Sequence, residues 1–167
     1  MKTAALLLAT LLFFTGSVSA DEEIKNSLLI DAVKKESTAP HAIEILITNG
    51  ENVNVTDERG RTPLMLAAMY HPSPLVLHFL LLGGADINAR TPDTGKTALF
   101  FAVRYNSNPE IVTALLNYGA DPHIKDIFGR TAFDYADRNP KLKASSVSEQ
   151  FLQHHDDTVS SQSATSR

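Results

Sequence analysis

The 167-residue chain contains no cysteine, which excludes disulfides, a thiol nucleophile and a lipid-modified N-terminal cysteine. Whatever fold forms must be held by packing and hydrogen bonds. No segment is dense in Lys or Arg, and 15 basic residues stand against 19 acidic ones, a formal net charge of −4. That balance lacks the electrostatic footprint of a nucleic-acid binder. No apolar run approaches the roughly 20 residues that span a bilayer, and no Gly-x-Ser-x-Gly nucleophile elbow is present.

What is present begins with a short export pattern. Lys2 precedes an apolar stretch from Ala4 to Phe14, then Gly16 and the small-residue site Val18-Ser19-Ala20. This reads as a secretory signal peptide over residues 1–20, cleaved before Asp21. Cleavage removes one basic residue and no acidic one, taking the formal charge to −5. With no lipid anchor and no membrane insertion expected, the mature chain is expected to be free in a periplasm. The sequon Asn54-Val55-Thr56 leaves a secreted eukaryotic origin open.

The remaining chain repeats itself. Gly60-Arg61-Thr62-Pro63-Leu64-Met65-Leu66-Ala67, Gly95-Lys96-Thr97-Ala98-Leu99-Phe100-Phe101-Ala102 and Gly129-Arg130-Thr131-Ala132-Phe133-Asp134-Tyr135-Ala136 lie 35 and 34 residues apart. A second series keeps the phase: Gly50-Glu51-Asn52-Val53-Asn54, Gly84-Ala85-Asp86-Ile87-Asn88 and Gly119-Ala120-Asp121-Pro122-His123. Thr-Pro-Leu-x-x-Ala followed by Leu-Leu-x-x-Gly-Ala-Asp-x-Asn resembles the ankyrin repeat, whose period is about 33 residues. The resemblance covers roughly Glu22 to Lys143, with the repeats from Gly60 and Gly95 closest to the family pattern. It implies an all-α solenoid of about four stacked helix-turn-helix repeats with short hairpin loops, at about 22–59, 60–94, 95–128 and 129–143. Three domains follow: the signal peptide, a repeat domain over 21–143, and a C-terminal cap and tail over 144–167. The loops between helices run one or two residues longer than the family pattern, and the hairpin from Ala89 to Lys96 carries one extra residue.

Elementary physics places the pieces. Thr62, Thr97 and Thr131 are expected to cap inner helices, with Pro63 at a first position where its missing N–H costs nothing. Leu64/Leu66/Ala67, Leu99/Phe101/Ala102 and Phe133/Ala136 recur at helical spacing and are expected to face the next repeat. Outer helices are expected from Pro40, Pro74 and Pro109, with Ser73 and Asn108 as caps and Gly50, Gly84 and Gly119 as positive-φ stops. Their apolar faces read Ile43/Ile45/Leu46, Leu77/Leu80/Leu81 and Val112/Leu115/Leu116. Asn139-Pro140 is expected to stop the last inner helix. Asp21 to Ser27 would cap one end of the stack, and Val147, Phe151 and Leu152 the other, before a polar tail from Asp156 read as disordered.

Reactive chemistry is thin. Thr94-Gly95-Lys96-Thr97 resembles the end of a phosphate-binding loop, but Arg90 stands where the first glycine is required. His41, His71, His78 and His123 occupy scattered phases, and adjacent His154-His155 cannot face one way on a helix. Asp57, Asp86, Asp121 and Asp126 recur with the repeat and read as structural. No catalytic residue, cofactor or metal site is therefore expected.

Function falls to the surface that varies between repeats, expected on the hairpin tips and the concave face of the solenoid. The candidate partner-binding residues are Met65, Met69, Tyr70, Arg90, Phe100, Arg104, Tyr105, Ile127 and Phe128, mostly the aromatic, Met and Arg types that dominate binding hot spots. The expected partner is a protein, an enzyme of the periplasm. Small exported proteins resembling this one suggest an inhibitor or self-protection (immunity) role. A helper of an oxidative-stress enzyme such as catalase is the competing version, and a small hydrolase or metal-dependent enzyme built on the scaffold is the reading of another class. Alone, the protein is expected to be a monomer. Terminal sequencing of protein recovered from the periplasm should read Asp21 first; an intact Met1 would overturn the export reading.

Overall fold

A computed structural model describes residues 28–136 and 139–143. The signal peptide, the Asp21 to Ser27 cap, Val147, Phe151, Leu152 and the tail with His154 and His155 lie outside the described residues. Helices come in pairs. Residues 28–34 (α1) precede α2 (Pro40–Thr48), then α3 (Pro63–Tyr70) and α4 (Pro74–Leu82), α5 (Ala98–Tyr105) and α6 (Pro109–Asn117), α7 (Phe133–Ala136) and α8 (Pro140–Lys143). Inner helix α3 packs along α5 and α5 along α7, while outer helices α2, α4 and α6 pack in succession. The described residues contain no strand; the segments between helix pairs project as hairpin fingers.

Helix starts follow the chain chemistry. Proline occupies the first turn of α2, α3, α4 and α6, where its fixed φ suits the helix and no N–H is missed. Capping is less uniform than the recurring Thr and Ser imply. Thr62 accepts from Met65 N–H at 3.4 Å, and Asn108 accepts from Glu110 N–H at 3.0 Å. At α7 the bond runs the other way, from Thr131 N–H to the Asp134 carboxylate at 2.7 Å. Ser73 and Thr97 make no side-chain cap. The Thr97 hydroxyl is enclosed without a partner, and Ser73 instead gives its N–H to His71 Nδ1 at 3.2 Å.

Outer helices end uniformly, whereas the inner helices α3 and α5 run into extended backbone at His71 and Asn106. Gly50, Gly84 and Gly119 have φ of 90°, 89° and 89°. At each, the glycine N–H and the next N–H turn back onto helix carbonyls, as in Gly84 to Leu81 and Ala85 to Leu80, both 3.0 Å. This is the two-bond Schellman closure, and only glycine enters that conformation without strain.

The core runs along the stack. Leu64, Leu66 and Ala67 of α3 and Leu99 and Ala102 of α5 are fully enclosed, with Phe101 nearly so. On the outer helices Ile43, Leu77, Leu80, Val112 and Leu115 are equally enclosed. A buried Leu or Ile contributes roughly 2 kcal/mol, and α3 packs more extensively on α5 of the neighbouring repeat than either does on its own outer helix. Ile45, expected on the packed face, is exposed: at 100° per residue it lies away from Ile43, whereas Leu46 and Ile47 meet the core. On α7, Phe133 and Ala136 are only partly buried, and Tyr135 takes the enclosed position. Pro140 opens α8 in addition to following the last inner helix.

Backbone polar groups between repeats are satisfied by a ladder. His71, Asn106 and Asn139 occupy the turn between inner and outer helices of successive repeats. His71 Nε2 bonds the Thr38 carbonyl at 3.1 Å. Asn106 Nδ2 donates to the Ala68 and His71 carbonyls at 2.9 and 3.0 Å, and its Oδ1 accepts from Asn108 N–H at 2.8 Å. Asn139 Nδ2 donates to the Val103 carbonyl at 2.7 Å. Each side chain reaches one repeat back. Replacing Asn106 by Ala strands two carbonyls and an N–H in a closed site, a loss of about 2 kcal/mol. Urea unfolding should show it as a clearly lowered midpoint, while Asn88→Ala at the exposed finger base should shift the midpoint far less.

Candidate functional site

The fingers are built on one device used twice and altered once. In the first finger, Asp57 Oδ1 accepts from the N–H groups of Arg59 and Arg61 at 3.0 and 2.9 Å. Its Oδ2 takes the Arg61 guanidinium at 2.9 and 2.6 Å. In the third, Asp126 accepts from Phe128 and Arg130 N–H, both 2.9 Å, from Arg130 Nη2 at 3.3 Å and from the Tyr135 hydroxyl at 2.7 Å. The carboxylate thus closes the turn and neutralises the arginine that follows the glycine. In the second finger Thr91 holds the place of the aspartate: its Oγ1 accepts from Lys96 N–H at 3.1 Å and pairs with Thr94 Oγ1 at 2.8 Å. Here the turn is closed by a neutral group, and the extra residue is taken up between Thr91 and Lys96.

The latches shift their own titration. Burial pushes the Asp57 carboxyl up, but bonds from the Arg61 side chain and backbone and from Arg59 N–H, with the Arg61 charge, outweigh it and leave the pKa below the ordinary 3.8. Burial likewise opposes ionisation of Asp126, and the Tyr135 hydroxyl, the Arg130 and Phe128 N–H groups and the Arg130 charge again carry its pKa below 3.8. Tyr135 is raised above 10.0 by burial and by donating to Asp126.

Fingers are tied side to side. Ile127 N–H bonds the Thr94 carbonyl at 3.1 Å, and Arg90 donates to the carbonyls of Gly95 at 3.3 Å and Lys125 at 2.9 Å. Gly60 lies against Pro92, where an added Cβ would come within 2.6 Å of the ring Cγ. Asn54 bonds Gly84 O and Asp86 N–H, both 2.9 Å, and Asn88 bonds Asp121 N–H at 2.9 Å. The fingers therefore form a fixed palisade along one side of the inner helices.

Between palisade and helices lies a groove of about 180 Å³. From the fingers it is lined by Arg59, Arg61, Thr91, Asp93, Thr94 and Lys96. The inner helices supply Met69, Phe101 and Tyr105. Among the described residues no cluster of three or more His, Cys, Asp or Glu could hold a metal ion, and no helix is long and apolar enough to cross a membrane.

The structure separates the nine residues singled out from sequence. Met69 and Tyr105 line the groove; Tyr70 and Arg104 are exposed, Arg104 with its guanidinium 5.4 Å from the Tyr105 ring centre. Ile127 and Phe128 stand 61% and 65% exposed at the third finger, Phe128 under the Arg130 guanidinium at 4.7 Å. Arg90 is exposed, but its guanidinium is occupied by the two carbonyls it ties together. Met65 and Phe100 are corrections: at 1% and 2% exposure they belong to the core. Both sit three residues after the threonine that precedes the inner helix, a position that close stacking of inner helices encloses; Phe100 packs edge-on against Tyr135 at 5.3 Å. The lining residues outside those nine are Arg61 and Lys96, together with Arg59, Thr91, Asp93, Thr94 and Phe101. A signal for the first two existed, since a basic residue follows Gly60, Gly95 and Gly129 in one phase.

Compared with known families, residues 29–126 match the ankyrin repeats, in three copies; the pair α7–α8 lies beyond the matched span. No curated protein matches the chain.

Both latch carboxylates have folded-state pKa values below their unfolded ones, so in acid the unfolded chain binds more protons. Their contribution is complete above the ordinary value near 3.8 and is lost as pH falls through it towards the depressed folded values. Urea midpoints measured between about pH 6 and about pH 2.5 should fall steeply below about pH 4 for the wild type. The double variant Asp57→Asn, Asp126→Asn should start lower and fall less; equal slopes would disprove the latch assignment.

Proposed function

This chain belongs to the ankyrin-repeat family, and on that premise we propose that it is an exported module that binds and blocks an enzyme of the cell envelope. Ankyrin repeats act as protein-protein interaction modules, typically without catalysis of their own. The observation that carries the reading is the groove, because its floor and rim combine aromatic and cationic side chains on a rigid palisade. Tyr70, Tyr105 and Phe128 are 38%, 52% and 65% exposed, and exposed aromatic rings are the side chains that most often anchor a protein partner. Rigid aromatic anchors lose little entropy on binding. The basic and apolar start of the sequence supports export, which would put the partner in the periplasm. Inhibition suits the shape: a rigid curved face buries a loop or rim of its target and adds no chemistry of its own.

The protein secreted from its own host and used as bait on a periplasmic extract should retain an enzyme whose turnover falls when purified wild type is added back. Tyr105→Ala and Phe128→Ala should each weaken that complex by about tenfold or more, the scale of one hot-spot ring, with unchanged urea midpoints. Equal affinity for wild type and both variants would sink the assigned face. A bound enzyme whose turnover is unaltered would sink the inhibitory role alone.

A further inference from the structure

The three fingers share a plan, so a departure in one is informative. After Gly60 and Gly129 the arginines Arg61 and Arg130 are each met by the aspartate four residues earlier, at 2.6 and 3.3 Å. After Gly95 the cation is Lys96, and the residue in the aspartate's place is Thr91, which closes the turn through its hydroxyl but brings no charge. Lys96 is half-buried, lines the groove and makes no ion pair among the described residues. Its ammonium lies 5.6 Å from the centre of the Tyr135 ring, a weak cation–π contact that holds the chain without neutralising it. Arg59, exposed on the neighbouring finger, lines the same groove and is likewise without an ion pair. In a chain of net charge −4, the groove therefore concentrates positive charge beside Phe101 and Tyr105, its one carboxylate outside the latch being Asp93.

We propose that the groove takes an acidic segment of the partner protein, with a partner carboxylate on Lys96 in the place that Asp57 and Asp126 fill for the sister fingers. The inference rests on the protein-binding reading and specifies the partner's chemistry. A half-buried ammonium gains more from a carboxylate than one in open water does, because the surrounding protein screens it less. Thr91 serves that arrangement: an aspartate at this position would supply the counter-charge internally and close the site to a ligand. Arg59 attracts the approaching segment at longer range, and the aromatic floor gives it an apolar contact.

The probes are two short fluorescent peptides, one with several Glu residues around a single Phe and one with Gln in place of every Glu, titrated against the full secreted chain. The Glu peptide should bind and the Gln peptide bind at least tenfold more weakly. Lys96→Gln and Thr91→Asp should each weaken the Glu peptide about tenfold and reduce the salt dependence of binding, while Lys96→Arg keeps both. Thr91→Asp should also raise the urea midpoint, which separates loss of the site from loss of the fold. No binding of the Glu peptide, equal binding of the two peptides, or unchanged affinity in Thr91→Asp would overturn the proposal. So would inorganic phosphate displacing the peptide at equal charge concentration, since the cation would then serve a phosphate. An enzyme partner that is lost with Tyr105→Ala but kept by Thr91→Asp would overturn the carboxylate site and leave the protein-binding reading standing.

Discussion

A pair of eight- or nine-residue helices cannot hide its apolar side within itself, and every other feature of this protein answers to that constraint. Leu64, Leu66, Leu99 and Ala102 reach full burial only because α3, α5 and α7 lie against one another in succession. Stability is accordingly a sum of single-repeat and neighbour-interface contributions along one continuous core that runs the length of the stack. Close stacking also explains why small residues recur: Ala67, Ala68 and Ala102 are enclosed on helices that approach their neighbours closely.

Burial on this pattern strands backbone polar groups at the turns, and the chain meets that cost with side chains that reach one repeat back. His71, Asn106 and Asn139 do so between inner and outer helices; Asn54 and Asn88 do so at the base of the fingers. Because His71 donates through Nε2 to a carbonyl and accepts at Nδ1 from Ser73, its neutral tautomer is fixed by its neighbours. The fingers add their own latches through Asp57 and Asp126. Together these bonds make the groove wall rigid, so that the Thr91 substitution alters its charge without loosening it.

Much of the fold was legible. Helix starts at Pro40, Pro63, Pro74 and Pro109, helix ends at Gly50, Gly84 and Gly119, and the longer second finger all follow from local rules. The ladder was less so, since two asparagines and a histidine in one phase look unrelated until each is seen to bond carbonyls of the repeat before it. His71 read as a stray histidine and proved to be a structural one. The groove was half legible: Met69 and Tyr105 were recognised from type and phase, whereas Met65 and Phe100, chosen by the same reasoning, are enclosed. Arg61 and Lys96 were taken up into the repeat motif and so passed over as lining.

Residues close in sequence determined where each helix begins and ends, because a proline's φ, a capping oxygen and a glycine at positive φ act within a few residues of themselves. Only the stacked structure decided which side of each helix is closed, which carbonyls the His71, Asn106 and Asn139 side chains meet, and which finger and helix residues come together around the groove. Those outcomes depend on atoms some 35 residues away in the neighbouring repeat, and no local preference specifies the distance between them.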